Sequence, residues 1–369
     1  MTIGGTASGL FLVDLTPEQH AFGESVGRLL TTAASDTEPS QLLSQIAEQG
    51  FLGIAVPEQY GGASVDDLRF GLLFAREAMA AGFTGVALRY GLHAWVTAPF
   101  LTRHASAVQQ ARWLPVIASG ASIATVVGLR EAVGETVHAR EYEGALRLTG
   151  TLRGVPGAAG ADLFLVVTDS PAPEVAVIDA ATADVRPVSD ELAAPGLASA
   201  DISFDDVTVD PSNRINGAGH TAIDGLRADH YLWLAILSVT GARTALDISS
   251  QYVQNRTVFG RAVADFEHTR KTLADVAAEL ASVHALIDAC ISARAHSAIT
   301  PAMAASAAVA SAAAHARSVD RGLQLHGGYG YMHEYPIAQA YADAMRLRLE
   351  TAGMAASTHV ATALGLKAP

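Results

Sequence analysis

Apolar residues recur with three different rhythms along this chain, and each stretch predicts a different kind of element. From residue 15 to about 118 the spacing is helical. Thr16-Pro17-Glu18-Gln19 reads as a capping box, with proline at the first helical position, where a missing N–H is harmless. Residues 41–49 form a short amphipathic run stopped by Gly50, and residues 68–81 a second one stopped by Gly82. Between them, GFLGIAVPEQYGGAS carries too much glycine and proline for a regular helix. From about 120 to 210 the period drops to two. Residues 123–127, 145–149, 163–168, 175–178 and 200–209 are short alternating or β-branched runs, the mark of a small sheet. PSNRINGAGH, residues 211–220, has the composition of a linker. Beyond about 222 the helical rhythm returns. Apolar side chains fall at 266, 273, 276, 280, 283, 287, 290 and 291. The next helix has Pro301 near its start and breaks at Gly327-Gly328, and another covers about 337–349. The expected fold class is α+β: an N-terminal helical domain over 1–118, a small middle β-sheet domain over 119–215, and a C-terminal four-helix-bundle domain over 216–369.

Composition narrows the function. Half of the 369 residues are hydrophobic and mean hydropathy is +0.26, mostly through alanine, yet no uninterrupted apolar run approaches the ~20 residues of a membrane span. The opening MTIGGTASGLFLV lacks the basic start and long apolar stretch of a secretory signal. A single cysteine, Cys290, rules out an internal disulfide framework and fits a reducing, cytoplasmic location; its apolar neighbours mark it as a buried structural thiol. A net charge of −13 argues against nucleic acid or an anionic membrane as partner. The thirteen histidines are scattered without HExxH-like spacing, so no metal site is expected.

Five segments, in order, resemble the acyl-CoA dehydrogenase family over nearly the whole chain. GFLGIAVPEQYGG is similar to the family's N-terminal loop, and Leu114-Pro115 with Ala118-Ser119-Gly120 to its entry into the sheet domain. ISFDDVTVD is similar to the strand that leaves that domain. NRTVFGRAVADFEHTRKTLADVAAE and LQLHGGYGYMHEYPIAQAYAD resemble the segments that reach a flavin bound to the neighbouring subunit. The resemblance implies FAD, an acyl-CoA thioester as substrate, an electron-transferring flavoprotein as acceptor, and α,β-dehydrogenation. Such a reaction needs a carboxylate at the α-proton and a flavin that takes the β-hydride.

Carried over residue by residue, the resemblance divides this chain in two. Arg256 stands where the family's arginine meets the FAD pyrophosphate, followed by Phe259-Gly260, while Gln324 and Gly327-Gly328 match the segment approaching the same cofactor. Singly, Arg256 also reads as a helix-end cation and the glycine pair as a helix cap. Glu267 replaces the usual glutamine. The motifs implied for the flavin ring are altered: LREAVGET, residues 129–136, lacks the Thr-Glu-Pro, and TGTLRGVP, residues 149–156, has Gly154 in place of tryptophan and Pro156 in place of a hydrogen-bonding residue. The base is altered too. Counting from Asp343 puts Thr351 at the expected glutamate, with Glu350 one residue early, ~100° around a helix unless a loop absorbs the offset. The alternative position, on the first helix of the C-terminal domain, offers Asp229-His230-Tyr231, and Ala342 replaces an arginine. The chain thus resembles the base-lacking subunit of a heterotetrameric (α2β2) actinobacterial acyl-CoA dehydrogenase of the steroid side-chain type. Two other readings remain: a self-sufficient homo-oligomer using Glu350 as base, and a non-catalytic structural subunit.

Overall fold

The computed structural model describes residues 15–33, 39–130, 135–169, 172–189 and 192–366; the opening segment tested for a secretory signal lies outside them. The N-terminal region is helical: α1 (Pro17–Ala33), α2 (Pro39–Glu48), α3 (Leu68–Ala80), α4 (Thr84–Gly91), α5 (Ala98–His104) and α6 (Ala107–Ala118). The capping box forms as expected, with the Gln19 N–H donating to Thr16 Oγ1 and the Thr16 N–H to Gln19 Oε1. The glycine-rich loop between α2 and α3 folds into two single 3-10 turns, Phe51–Gly53 and Glu58–Tyr60. Between α4 and α5, Leu92–Thr97 is wound as a π-helix, which the helical period alone does not reveal.

Two small sheets follow. The first orders β1 (Ala124–Val127), β4 (Leu163–Val167) and β5 (Val175–Asp179), with β1 parallel to β4; the second orders β2 (Val137–Tyr142), β3 (Ala145–Val155), β7 (Ala200–Val209) and β6 (Asp184–Pro187). Alternation along β4 explains how they are held. Phe164 and Val166 point into a core shared with β3 and β7, while Leu165 and Val167 join the large helical core. Strands β2 and β6 went unpredicted. Apart from Val137, the buried position in VHAREY, every residue of β2 is at least partly exposed, and β6 (DVRP) has no buried residue, so neither shows an apolar pattern; both are recruited by antiparallel pairing to β3 and β7.

The C-terminal region is a bundle of α7 (His220–Asn255), α8 (Glu267–Ala295), α9 (Pro301–His326) and α10 (Pro336–Gly353), with a short α11 (Ala356–Ala363) and a two-strand hairpin, β8 (Thr257–Val258) and β9 (Arg261–Ala262), after α7. About 54 Å long at 1.5 Å per residue, α7 is buried on every side from Ala228 to Ala242, as befits a helix surrounded by others. Small residues on α9, among them Ala304, Ala305, Ala307 and Ala308, are buried in the same core. Cys290 is buried on α8. Among the described residues α8 is the one helix long and apolar enough, by length and composition, to match a membrane span; it packs on α7 and α9 as a bundle helix.

The bundle is locked to the rest through two buried charge clusters. Asp229 on α7 receives Arg294 Nε at 2.8 Å and is ion-paired with Arg103 of α5, while Arg294 also donates to Asp66 at 2.7 Å. On α10, Asp343 accepts from Thr84 Oγ1 (2.6 Å), the Ala194 N–H (2.7 Å) and Gln339 Nε2 (2.7 Å), one carboxylate gripping the N-terminal helices, the sheet region and its own helix.

Candidate functional site

The residues matched to the far end of a cofactor come together on one exposed surface. Arg256 caps α7, and Gly327 caps α9 with φ +59°, so both simple capping readings hold as geometry. The two ends also meet: the Arg256 guanidinium lies over the Tyr329 ring, 5.2 Å from its centroid, and Tyr252 stacks on His326 at 3.9 Å. Arg256, Gln324, Gly327 and Gly328 are all exposed. Phe259 sits at the tip of the β8–β9 hairpin, 97% exposed, where a two-residue turn needs positive φ twice: Phe259 has φ +49° and Gly260 φ +78°. A phenylalanine in left-handed backbone, pointing at solvent, is strain without local compensation. Tyr331 nearby is 83% exposed. Glu267 is the first residue of α8, where an acid suits the helix dipole.

The segments matched to the ring end converge elsewhere, between the sheets and the C-terminal helices. Gly128, Leu129, Arg130 and Glu135 meet Leu152, Val155 and Pro156, facing Leu92, His230, Glu350 and Met354. The cavity they enclose measures about 20 Å³. One water needs roughly 10–15 Å³ on such a measure, so the space admits a single water and no ring. Arg130 spans it. Nη1 donates to the Arg153 carbonyl at 2.8 Å, and the guanidinium lies so close to Gly353 at the end of α10 that a Cβ there would stand 2.8 Å from Nε. The Arg130 Nε is buried without a hydrogen-bond partner. Gly154 has φ +54° at an irregularity in the β3–β7 ladder, a conformation that suits glycine far better than the tryptophan expected there.

Glu350 does point into this cleft, 1% exposed, yet it is committed. Its Oε1 lies 2.6 Å from Arg346 Nη1, and Arg346 Nη2 in turn donates to Ser199 Oγ (3.1 Å) and the Gly154 carbonyl (3.3 Å). The carboxylate is one end of a tie from α10 to the sheet domain. No loop absorbs the register offset, because α10 runs unbroken through Gly353. Thr351, at the counted position, is buried and donates to its own helix at Leu347. The Asp-His-Tyr triplet on α7 splits by helical rotation. Asp229 enters the ion cluster, Tyr231 donates to the Met354 carbonyl, and His230 faces the cleft with both ring nitrogens unpartnered. Burial first, and the Arg130 charge second, lower the His230 pKa to about 4, so it is neutral near pH 7. Beside the cleft the interior is solid: Tyr90, Trp95 and Trp233 are at most 1% exposed, and Trp233 packs so tightly on Gly91 that a Cβ would lie 1.8 Å away.

An FAD, as the resemblance implies, needs a slot for its planar ring and a surface for its diphosphate and adenosine. The residues of this chain fit the second requirement and not the first. Arg130 was missed in the sequence, although a cation where the family places Thr-Glu-Pro was a visible signal. The π-turn placing Leu92 beside His230 and Met354 left none.

Helices, paired small sheets and a helical bundle, with a cationic, glycine-rich and aromatic surface at the bundle's end, define a three-part scaffold. Models of the acyl-CoA dehydrogenase N-terminal domain and C-terminal domain match residues 16–121 and 231–353, more than half of the chain. The chain belongs to the acyl-CoA dehydrogenase family. It is 24% identical over 336 residues to a probable acyl-CoA dehydrogenase of Bacillus subtilis, covering 82% of this chain and 56% of that protein's length. It is 23% identical over 322 residues to the rat mitochondrial long-chain specific acyl-CoA dehydrogenase, covering 82% and 74%. A glutaryl-CoA dehydrogenase from Mycobacterium smegmatis, solved in complex with FADH2, superposes with a TM-score of 0.84 at 18% identity, covering 96% of each chain.

Proposed function

We propose that this chain is one subunit of a heteromeric FAD-dependent acyl-CoA dehydrogenase, acting on a CoA thioester such as a steroid side chain within an α2β2 assembly. A homologous partner holds the flavin ring, supplies the carboxylate base and forms most of the thioester pocket. This chain contributes Arg256 as a fork against the diphosphate, the Gly327-Gly328 turn for close backbone approach, and Phe259 and Gln324 around them. FAD, when bound, accepts the hydride lost in α,β-dehydrogenation, and an electron-transferring flavoprotein is the expected acceptor. The observation that carries this reading is the contrast within one chain. The cleft of the ring-end motifs is shut to about 20 Å³ by Arg130, while the far-end surface is open and strained outward at Phe259.

The test is the absorbance of the chain purified alone and with its homologous partner. Colourless alone, and yellow and active together, is the expected result. A flavinated homo-oligomer that oxidises acyl-CoA unaided would instead favour the second reading, for which Glu350 reaching the cleft is the supporting observation. Arg256→Ala separates a flavin-contributing subunit from a structural one, since only the former loses FAD from the complex.

A further inference from the structure

A second cavity, about 220 Å³, lies away from the ring-end cleft, between the end of α3, the start of α4, and α7, α9 and α10. Its size decides its interest. An enclosed apolar cavity of roughly 150 Å³ is enough to take up benzene, and this one is larger and opens to solvent at Ala80, Gly82 and Pro336. The walls are mostly apolar, from Met79, Ala80, Ile248, Pro336 and Ala340, with Thr84, Thr244, His315, Gln339 and Asp343 as the polar groups. An apolar pocket with a few convergent polar groups is the usual form of a small-molecule site.

Most of that polar inventory is already used. The Thr84 hydroxyl donates to Asp343, the Thr244 hydroxyl to the Thr240 carbonyl, and the Gln339 amide to Asp343 and to the Leu192 carbonyl. His315 is the exception. It is 1% exposed; its Nδ1 is sealed in the core without a hydrogen-bond partner, and its Cε1–Nε2 edge lies against Gly241 on the cavity wall, which makes Nε2 the nitrogen a ligand meets. Burial lowers its pKa to about 3, so the ring is a neutral imidazole. A ring nitrogen without a partner forgoes a hydrogen bond, and a group bound against the Nε2 edge supplies one.

We propose that this cavity is a second ligand site, for a compact, uncharged, mostly apolar molecule bearing one hydroxyl that pairs with His315. A hydroxyl both donates and accepts, so it satisfies His315 in either neutral tautomer. An anion would meet Asp343 with no arginine or lysine on the walls to balance it. A cation would meet a carboxylate already saturated by three donors. Because Asp343 also joins α10 to Thr84 and Ala194, an occupant here braces the joint between the bundle and the other regions.

Phenol, a ring with one hydroxyl, is the probe, and benzene the control. Titration of the full chain by ligand-observed NMR is expected to show saturable one-to-one phenol binding, with benzene about tenfold weaker. Ala80→Phe and Ala340→Phe, both at incompletely buried wall positions, each fill the cavity and weaken phenol at least about tenfold while leaving the melting curve cooperative. His315→Phe removes the preference for phenol over benzene. The proposal is overturned if folded wild-type protein shows no saturation, or if phenol binds both occluding variants as tightly as wild type. Equal affinity for benzene and phenol overturns the hydroxyl assignment. None of these outcomes depends on flavin, so they stand apart from the fate of the heteromeric reading.

Discussion

Replacing Glu350 by glutamine separates two roles that predict opposite signatures. In the structure the carboxylate is buried against Arg346, whose other nitrogen holds Ser199 and the Gly154 carbonyl. Glutamine keeps the size and one acceptor oxygen but drops the charge. A hydrogen bond to a charged group is worth about 1.5–3 kcal/mol, and Arg346 retains two other acceptors and partial exposure, so a loss of about 1–2 kcal/mol is expected. Loss of a general base costs about 10²- to 10⁴-fold in turnover without requiring any loss of stability. The assay pairs urea unfolding of the isolated chain with acyl-CoA turnover of the complex with its homologous partner. A tie gives a lower urea midpoint and turnover within about twofold of wild type. A fall of a hundredfold or more in turnover, with an unchanged midpoint, would refute the assignment of Glu350 as a tie and return it to catalysis.

Other consequences are equally direct. Asp229→Ala leaves the buried Arg294 with only the exposed Asp66 as a carboxylate partner, and urea denaturation is expected to show a loss of about 3 kcal/mol. His93, His230 and His315 have pKa values lowered by burial to about 4, 4 and 3, against 6.5 for an unperturbed histidine. Between those values the unfolded chain binds protons that the folded chain refuses. Their contribution is therefore complete above about pH 6.5 and lost as pH falls toward 4; a urea midpoint that stays flat from pH 7 to pH 5 would contradict it. Phe259→Asn relieves left-handed strain and is expected to raise the stability of the isolated chain by up to about 1 kcal/mol, while weakening FAD retention in the complex, read by flavin release on gel filtration. In peptide mass spectrometry after diethyl pyrocarbonate treatment, His230 is expected to be unreactive in wild type and in the bulk-preserving Arg130→Met, and reactive in Arg130→Ala. Equal labelling in all three would mean that Arg130 does not close the cleft.

The order of helices, sheets and bundle was legible because apolar pattern reports burial, on one face of β7 and α8 and on both faces of β4. Runs 163–168 and 200–209 correspond closely to β4 and β7, the first as a continuous apolar run and the second by alternation. Strands β2 and β6 left no such trace, since their residues are largely exposed and they are held by pairing to the neighbouring strands β3 and β7 rather than by burial. The matched positions Arg256, Gln324 and Gly327-Gly328 were visible as motifs, but their union depends on α7 and α9 ending side by side, which no local pattern encodes. Glu350 shows the converse limit. Its register could be counted, whereas its partner Arg346, one turn earlier, became meaningful only once Gly154 and Ser199 were seen at the other end of the guanidinium.

Helix α10 bonds to all three regions of the chain, through Asp343 to Thr84 and Ala194 and through Arg346 to Gly154 and Ser199. In chain order it also follows every element that it joins. During synthesis, earlier segments emerge and begin to fold before this helix exists. The N-terminal helices and the sheets can each gather their own cores, but the clasp that fixes them against one another emerges after both. Until then Thr84, Ala194 and Ser199 wait without their partners, and a nascent chain stalled before residue 336 is a set of loosely tethered parts. The final relative placement of those parts thus waits on the synthesis of α10.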